Sequence, residues 1–386
     1  MKVLVLAPFP PRSDAPHGGS RWIAGLVRAL ARSHSVALVT LRGGGESGVD
    51  DGVAEVCDLV VEIERRTARR SLTNAWRERQ RFALAASGAP GWAVGFSVRA
   101  LPGELAQVVA TWQPDVAHVE SFVMAQYAHA LGSVPVVVVD QDADDTSTSL
   151  RRFRQRALRE ADAVVALTKR DQATLAALVS TARIERIPLA IDLPASPLDP
   201  AGNGRDVLFV GNFVHPPNVE AADRLARSIF PRVVARRADA RLVIVGDRPP
   251  ASVHASENVV VTGRVPELDP LLDEAAVVVA PLTSGGGMRV KVLDALGAGK
   301  AVVASRLALE GIGVAGEVLV AESDDEFEDA IVGLLENDSR RAELGRAARA
   351  WAEANVGWDA IVQAYGALYE SLVSSSRDGR PARARE

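Results

Sequence analysis

Short apolar runs rich in valine, leucine and isoleucine recur along this chain of 386 residues, and stretches with helical spacing separate them. Runs that are apolar at every position are typical of parallel strands covered on both faces, because only half-exposed strands alternate. Strands and helices in alternation predict a doubly wound α/β fold with helical crossovers. In the first half the predicted strands are Val3–Ala7, Val36–Thr40, Leu59–Ile63, Val116–Val119, Val134–Val139 and Ala163–Leu167, and the first predicted helix is Arg21–Ser33.

The alternation stops between Ile187 and Asp206, where proline and glycine are frequent and no apolar period continues. This composition is typical of a connection between domains. The alternation then resumes, with predicted strands at Val207–Val210, Leu242–Val245, Val259–Thr262, Val277–Ala280 and Ala301–Ala304. A chain of this length exceeds one ordinary core, so we expect two Rossmann-like domains, each with a doubly wound parallel sheet.

The same pattern predicts the domain boundaries. We expect a first domain over residues 1–190, a linker over 191–205, a second domain over 206–355, a helix over 356–375 that packs back on the first domain, and a disordered tail over 376–386. The tail is expected to be disordered because it lacks the apolar face that a packed element needs.

Charge and composition exclude several classes of protein. The formal net charge is −5, so the molecule as a whole does not attract nucleic acid, and we expect no nucleic-acid partner. Cys57 is the single cysteine, which excludes an internal disulfide and favours a reducing compartment. The first residues, MKVLVLAPFPP, predict a buried strand instead of a secretory signal, and no window reaches the roughly 18 apolar residues of a membrane span. We therefore expect a cytoplasmic protein.

Two glycine-containing segments follow predicted strands of the second half, where open α/β sheets bind ligands. Gly211 and Asn212 end one strand, and the segment 284–287 precedes a helix whose first turn carries Arg289 and Lys291. Glycine lets backbone N–H groups approach an anion, and two cations at the positive end of a helix dipole are misplaced unless an anion lies between them. A diphosphate fits this pattern. The alternative is a bare turn with two solvated cations.

Several motifs resemble the donor-binding domain of retaining GT-B glycosyltransferases of family 4, also called group 1. They are VGNFVHPPNVEAA, VIVGD, VTGRVPELDPLLDEAAVVVAPL, GGGMRVKVLDALGAGKAVVAS and LALEGI. The first half is similar through LAPFPP, HGGS, PDVAHVES, VPVVVVDQDADD and ADAVVALT. The resemblance covers nearly the whole chain, and it implies two Rossmann-like domains facing across a cleft, the first on the acceptor side and the second binding the nucleotide sugar.

The resemblance also implies a reaction and a set of contacts. It implies a retaining, metal-independent hexosyltransferase that needs no cofactor. The donor would be a nucleotide sugar, with UDP favoured over GDP or dTDP as the nucleotide, and the acceptor an unknown carbohydrate or small molecule. The leaving diphosphate oxygen itself would take the acceptor proton on the same face. Carried over to this sequence, the backbone at Arg264 and Val265 would hold the nucleobase, and Asp294 the ribose hydroxyls. The remaining predicted donor-binding residues are Gly18, Gly19, Gly211, Asn212, Gly286 and Gly287, with Arg289 and Lys291 neutralising the leaving charge.

This chain departs from the family pattern in the second half. Many members carry two glutamates eight positions apart, the first on the donor sugar and the second on the ribose, whereas this chain has Gly286 and Asp294. Loss of the first glutamate leaves only backbone donors there, so the identity of the sugar stays open. The Arg and Lys that many members place after the first strand of this domain are also missing, with Asn212 and Asn218 nearby instead.

A second departure lies in the first half. Many members present a histidine near the anomeric carbon after the strand that here is Val116–Val119. Counting from Asp115, that position holds Glu120, with His118 two residues earlier. We predict Glu120 as the catalytic carboxylate that stabilises oxocarbenium character or orients the acceptor hydroxyl, with His118 as the alternative.

Three questions stay open. Asp140, Asp142, Asp144 and Asp145 are clustered as though for a divalent metal, but most such clusters form turns, so we expect no essential metal. The arginine-rich segment 64–82 has two interpretations. It is a surface that contacts anionic lipid or an anionic acceptor, or it is a solvated helix with no partner. A nucleotide-sugar 2-epimerase and a non-catalytic nucleotide-binding partner are the alternative functions on the same fold.

Overall fold

The computed structural model describes residues 1–15, 18–65, 93, 95–141, 148–179, 182–285 and 289–377. The chain forms two compact units. Unit 1 comprises Met1–Pro188 together with Ile361–Glu386, and unit 2 comprises Leu189–Ala360. Each unit is an α/β structure around one parallel sheet, which confirms the predicted fold class.

Unit 1 is built on a seven-stranded sheet. Its strands are β1 (Lys2–Ala7), β2 (Ser35–Gly43), β3 (Leu59–Arg65), β4 (Val116–Glu120), β5 (Val136–Asp140), β6 (Ala163–Ala166) and β7 (Arg183–Arg186). They are ordered β3-β2-β1-β4-β5-β6-β7, so that Val5 of β1 pairs with Leu38 on one side and His118 on the other. β4 and β5 are buried at every position, as expected for strands covered on both faces.

Helices flank this sheet. In the described part of Met1–Pro188 they are α1 (Gly18–Leu30), α2 (Asp51–Ala54), α3 (Leu101–Trp112), α4 (Phe122–Ala125), α5 (Thr148–Leu158) and α6 (Lys169–Leu178), with a 3₁₀ turn at Ala128–Leu131. α1 buries Trp22, Ile23, Leu26 and Leu30, whose spacing gives the helix one apolar face.

Unit 2 has a six-stranded sheet. Its strands are β8 (Asp206–Val210), β9 (Arg241–Val245), β10 (Val259–Gly263), β11 (Val277–Ala280), β12 (Val302–Ala304) and β13 (Leu319–Val320), ordered β10-β9-β8-β11-β12-β13. Phe209, Ile244 and Val279 contribute to one continuous apolar core. Burial of these side chains supplies most of the free energy that holds the layers together.

The remaining helices follow in chain order. They are α7 (Pro216–Arg224), α8 (Phe230–Arg236), α9 (Asp269–Glu274), α10 (Val290–Gly297), α11 (Asp324–Leu335), α12 (Asp338–Asn355) and α13 (Trp358–Arg377), with a π-helical turn at Leu225–Ile229 and a 3₁₀ turn at Leu307–Leu309. α13 belongs to unit 1 from Ile361 onward, and it runs to Arg377, two residues into the expected tail.

The strand order of each sheet reverses direction at one point. The reversal falls between β1 and β4 in unit 1, and between β8 and β11 in unit 2. Because the chain leaves the carboxyl ends of these neighbouring strands in opposite directions, a crevice opens there, and open α/β sheets bind their ligands in it. The residues that follow these four strands are therefore the first candidates for function.

The strand prediction was wrong in some details. β7 and β13 were not predicted, because both are edge strands, the first with the polar sequence RIER and the second only two residues long. β5 begins at Val136 instead of Val134, since Pro135 has no N–H for the ladder. α1 begins at Gly18, three residues earlier than predicted.

Residues 191–205, expected as a linker, lie within unit 2. The Leu198 N–H donates to the carbonyl of Ala298 at 3.0 Å. The buried ammonium of Lys300 donates to the carbonyl of Asp199. This segment is therefore held to unit 2 by hydrogen bonds along its length.

Candidate functional site

A cavity of about 420 Å³ lies at the switch point of unit 2, lined by residues that follow β8 and by residues that follow β11. Sheet side chains, Phe209 among them, give it an apolar wall. Its polar lining includes Asn212, Asn218, Arg289 and Lys291. The structure thus brings three predicted donor-site residues together and adds Asn218. A largely apolar cavity with a few convergent polar groups is typical of a ligand site.

Lys291 lies in the first turn of α10. Its ammonium donates to the side-chain oxygen of Asn218 at 2.7 Å and lies 5.9 Å from the ring centroid of Phe209. Burial, and to a smaller extent repulsion by Arg289, lowers the pKa of Lys291 to about 8. A neutral amide does not compensate the loss of hydration of a cation, so this ammonium favours an anion at the cavity.

Arg289 directly precedes the same helix. Its guanidinium donates to the carbonyl of Gly285 at 2.9 Å. Burial lowers the pKa of Arg289, and the negative charge of Glu310 partly opposes this. Gly285 has φ of +99°, and a Cβ there would approach the ring of Pro217 within 2.8 Å, so the turn requires glycine. Two cations therefore lie at the positive end of a helix dipole, an arrangement that an anion stabilises.

α7 supplies neutral polar groups to the cavity. It begins with Pro216 and Pro217, whose missing N–H groups are not needed in a first turn. The Asn218 side chain donates to the carbonyl of Asn212 at 2.7 Å and accepts the hydrogen bond of Lys291. Asn218 therefore connects the loop after β8 with the cation of α10.

Close packing of the loops after β8 and β9 explains why position 211 is a glycine. Its N–H donates to the carbonyl of Val245 at 2.8 Å. A Cβ on Gly246, which has φ of +145°, would overlap the carbonyl oxygen of Gly211, and a Cβ on Gly211 would lie 2.8 Å from the ring of Phe213. The Gly211 N–H is therefore engaged in the sheet, and its contact with a diphosphate stays a prediction.

Asp294, Arg264 and Val265 lie outside the residues that line the cavity. Burial, together with the negative charges of Asp192 and Asp269, raises the pKa of Asp294 to about 7. Asp269 begins α9, shortly after Arg264 and Val265 at the end of β10, so Asp294 lies within electrostatic range of that loop. A carboxylate in this position can accept hydrogen bonds from ribose hydroxyls once it is ionised.

Gly18 and Gly19 are the first residues of α1, at the switch point of unit 1. A Cβ at Gly18 would meet no atom of the described residues within 4 Å, so its glycine is not required by packing. The Ser20 hydroxyl donates to the carbonyl of Pro10 at 2.7 Å and accepts the Arg12 N–H at 3.0 Å. These bonds hold the loop after β1 against the start of α1.

His118 and Glu120 lie at the end of β4, and both side chains are buried. His118 Nε2 is 2.9 Å from Glu120 Oε1, and Nδ1 is 2.6 Å from the Tyr369 hydroxyl. Burial, with the charge of Glu120 adding to it, raises the pKa of Tyr369 well above its usual value, so Tyr369 keeps its proton and donates to Nδ1. With Nδ1 accepting from Tyr369, His118 donates from Nε2 to Glu120. The structure brings the two candidates together in a buried network, and their role in catalysis stays a prediction.

Some predicted residues fall outside the described ranges. These are Gly286, Gly287, Asp142, Asp144, Asp145 and most of the arginine-rich segment 64–82. Asp140 is described, and its carboxylate lies 3.1 Å from Arg154 Nε in a buried ion pair. Within the described ranges, no three His, Cys, Asp or Glu side chains are placed to share a metal ion. Among these same residues, no helix is both long and apolar enough to cross a bilayer.

Sequence reasoning missed several residues of these two groups. Trp22, Gln141 and Tyr369 surround the His118 and Glu120 pair. Trp22 follows Gly18 by about one helical turn and Gln141 directly follows a strand, so position alone singles them out. Tyr369 lies 251 residues from His118, and no local signal marks it.

Two family models match the chain. The family described as Glycosyltransferase Family 4 matches residues 16–194, and the family described as Glycosyl transferases group 1 matches residues 204–337. Together they match most of the chain. The chain belongs to the group 1, family 4 glycosyltransferases. This family membership confirms the resemblance drawn from the sequence motifs.

Solved structures show that this glycosyltransferase has the GT-B fold. It is similar to sucrose-phosphate synthase from Thermosynechococcus elongatus, with a TM-score of 0.66, 15% identity and coverage of 97% of this chain and 100% of that chain. It is also similar to HepE of Anabaena in complex with UDP, with a TM-score of 0.65, 15% identity and coverage of 96% and 100%. At this level of identity the likeness concerns the fold.

Curated relatives share parts of the glycosyltransferase sequence. A GDP-mannose-dependent monoacylated alpha-(1-6)-phosphatidylinositol monomannoside mannosyltransferase of Corynebacterium glutamicum is 28% identical over 269 residues, which cover 61% of this chain and 70% of that protein. An uncharacterized 44.6 kDa protein from the cps region of Klebsiella pneumoniae is 27% identical over 152 residues, 36% of this chain. The chain spans 39% of the length of that second relative.

Proposed function

We propose that this protein transfers a hexosyl group from a nucleoside diphosphate sugar to a hydroxyl of its acceptor, with retention at the anomeric carbon and without a metal. The observation that carries the proposal is the pair Arg289 and Lys291. Both cations are partly buried beside one cavity at a helix N-terminus, where Arg289 donates to the carbonyl of Gly285 and Lys291 to the amide of Asn218. Two adjacent positive charges in this environment are stabilised by a ligand with two negative charges.

The proposed chemistry needs little besides charge neutralisation. The bond between the anomeric carbon and the diphosphate oxygen breaks, and a bond to the acceptor oxygen forms on the same face of the sugar. The acceptor proton passes to the leaving diphosphate oxygen, so no separate base is required. Arg289 and Lys291 then act by stabilising the charge that develops on the leaving group, which is electrostatic catalysis by preorganised donors.

We propose a UDP-sugar as the donor. HepE of Anabaena was solved with UDP, and also with UDP and glucose, which supports uracil as the base. The Corynebacterium relative is named as GDP-mannose-dependent, which makes GDP the second candidate. Asp294 is proposed to accept the ribose hydroxyls, with Arg264 and Val265 at the base, and both assignments apply to either nucleotide.

A thermal-shift screen with UDP, GDP, dTDP and ADP tests the donor, because a ligand that binds the folded state raises apparent stability. The matching nucleotide sugars are then incubated with the protein and a panel of glycosides, and the products are read by mass spectrometry. A new glycoside together with free nucleotide supports the proposal. Epimerised sugar or binding without turnover would contradict it, and so would the absence of binding by all four nucleotides.

A further inference from the structure

The carboxylate of Glu120 accepts hydrogen bonds from its own strand β4, from α1 and from the residue that follows β5. Trp22 of α1 donates to Oε1 at 3.3 Å, and His118 donates to the same oxygen. Gln141, directly after β5, donates its amide to Oε2 at 2.9 Å. Indole N–H groups only donate, and Gln141 donates through its nitrogen, so an ionised carboxylate fits this environment. With 1% of its surface exposed, Glu120 does not itself reach a ligand.

Gln141 differs from the rest of this network because it is exposed. Since its nitrogen is bound to Glu120, its side-chain oxygen must point away from that carboxylate. Within the ranges that the structure describes, that oxygen accepts no hydrogen bond. The result is a hydrogen-bond acceptor with a fixed orientation on the surface of unit 1.

The position of this group favours a role in binding. β1 and β4 flank the switch point of unit 1, and β5 is the next strand beyond β4. Ser121, between Glu120 and α4, has φ of +71°, a backbone conformation that a residue other than glycine rarely adopts. Such strain is found most often at functional sites, where surrounding contacts maintain it.

We propose that Gln141 binds a hydroxyl of the acceptor through its side-chain oxygen, and that Glu120 is the positioning residue that orients it. This inference rests on the proposed glycosyl transfer and names a contact on the acceptor. A sugar hydroxyl is the expected partner, because a neutral amide oxygen pairs with an O–H donor and adds no charge next to Glu120.

Two substitutions separate the roles. Gln141→Met keeps the length of the side chain and removes both hydrogen-bonding groups. Glu120→Gln places an amide next to Gln141, whose own amide then turns so that its NH₂ group, instead of its oxygen, faces outward. Both variants therefore remove the same acceptor group. We expect the double variant to bind no more weakly than Gln141→Met alone, because the two changes act through one atom.

Methyl α-mannoside and methyl α-glucoside serve as probes, with binding read by saturation-transfer NMR and transfer read as acceptor KM and kcat. We expect at least one glycoside to bind the wild type, and the loss of one hydrogen bond to weaken its affinity about three- to tenfold in both variants. Acceptor KM should rise accordingly, with nucleotide affinity unchanged. Gln155→Met is the matched control, since the exposed Gln155 side chain donates its amide to the carbonyl of Leu178 and not to Glu120.

Three results would overturn the inference: no glycoside binds the wild type, Gln141→Met binds and transfers as the wild type does, or Gln155→Met weakens binding equally. If Glu120→Gln fails to fold, Gln141→Met still tests the inference, because Gln141 is exposed and its substitution leaves the core intact. Failure of the proposed function can be told apart, because the wild type would then neither bind a nucleotide nor cleave the donor.

Discussion

The ammonium of Lys291 shows how a single residue reports on a ligand. Among the residues that the structure describes, it donates to the neutral amide of Asn218, and burial with repulsion by Arg289 lowers its pKa to about 8. Retaining a buried cation in this way costs folding free energy. A side chain that destabilises the folded protein is expected to contribute to binding or catalysis instead, and an ammonium in this position stabilises a bound diphosphate.

Lys291→Met removes the ammonium and preserves side-chain length. We expect turnover to fall roughly 10- to 1,000-fold, because charge on the leaving diphosphate loses a preorganised partner. Thermal stability should stay at or above that of the wild type. Steady-state kinetics and thermal unfolding measure both effects. Lys169→Met, at an exposed position of unit 1, is the control for loss of one positive charge.

A folded Lys291→Met variant with wild-type turnover would refute the diphosphate assignment. Restoration of activity by Lys291→Arg would attribute the loss to charge.

Asp294 and Lys291 together predict a pH optimum for nucleotide binding. The pKa of Asp294 is raised to about 7, so below this pH the carboxyl is protonated and accepts ribose hydroxyls poorly. The pKa of Lys291 is lowered to about 8, so above this pH the ammonium is lost. Affinity for UDP should therefore rise through about pH 7 and fall above about pH 8. Isothermal titration calorimetry across this range measures the profile.

Two variants identify the two limbs of that profile. Asp294→Asn should remove the pH dependence on the acid side, except for the part that comes from ionisation of UDP itself. Lys291→Arg should extend the plateau of affinity to higher pH, because arginine stays charged. Identical profiles for wild type and both variants would remove these residues from the site.

At the scale of elements, the loops after β8 and β9 meet at two glycines. Gly246→Ala would overlap the carbonyl oxygen of Gly211 and strain a backbone with φ of +145°. We expect a loss of about 3 kcal/mol or more, since rigid backbone on both sides cannot relax. Gly333→Ala is the matched control, because it lies on the exposed face of α11 with no atom within 4 Å of the new Cβ. There we expect a gain of about 0.5–1 kcal/mol. Urea denaturation measures both, and equal stabilities would contradict the packing described here.

Elements differ in how well the sequence predicts them. β1, β4, β8 and β11 lie in the sheet interior, and their apolar runs carry a clear signal. Edge strands β7 and β13 need no such run, so composition does not reveal them. The cavity of unit 2 was predictable in part because Arg289 and Lys291 are close in sequence. The network around Glu120 was not, because Trp22 and Tyr369 are joined to it only by the tertiary fold.

At the scale of the whole molecule, each unit contributes one switch point and one group of candidate residues. In unit 2 the group is cationic and lines a cavity. In unit 1 it is a buried carboxylate network with one exposed amide. We infer that the division of labour between nucleotide and acceptor follows this difference, since a diphosphate needs positive charge and an uncharged hydroxyl needs a hydrogen-bond acceptor.

The net charge of the molecule makes local cations decisive for donor binding. The formal charge is −5, so the overall field does not favour an anionic nucleotide sugar, and the attraction must come from the site itself. Arg289 and Lys291 supply two positive charges at the cavity, which is the charge that a divalent cation would otherwise bring. We therefore expect EDTA to leave transfer activity within about twofold of the untreated enzyme, because these side chains neutralise the leaving diphosphate. Initial rates with EDTA, and then with excess MgCl₂ restored, measure this. A complete loss that magnesium reverses would show that the cationic pair is insufficient and that a metal shares the diphosphate with it.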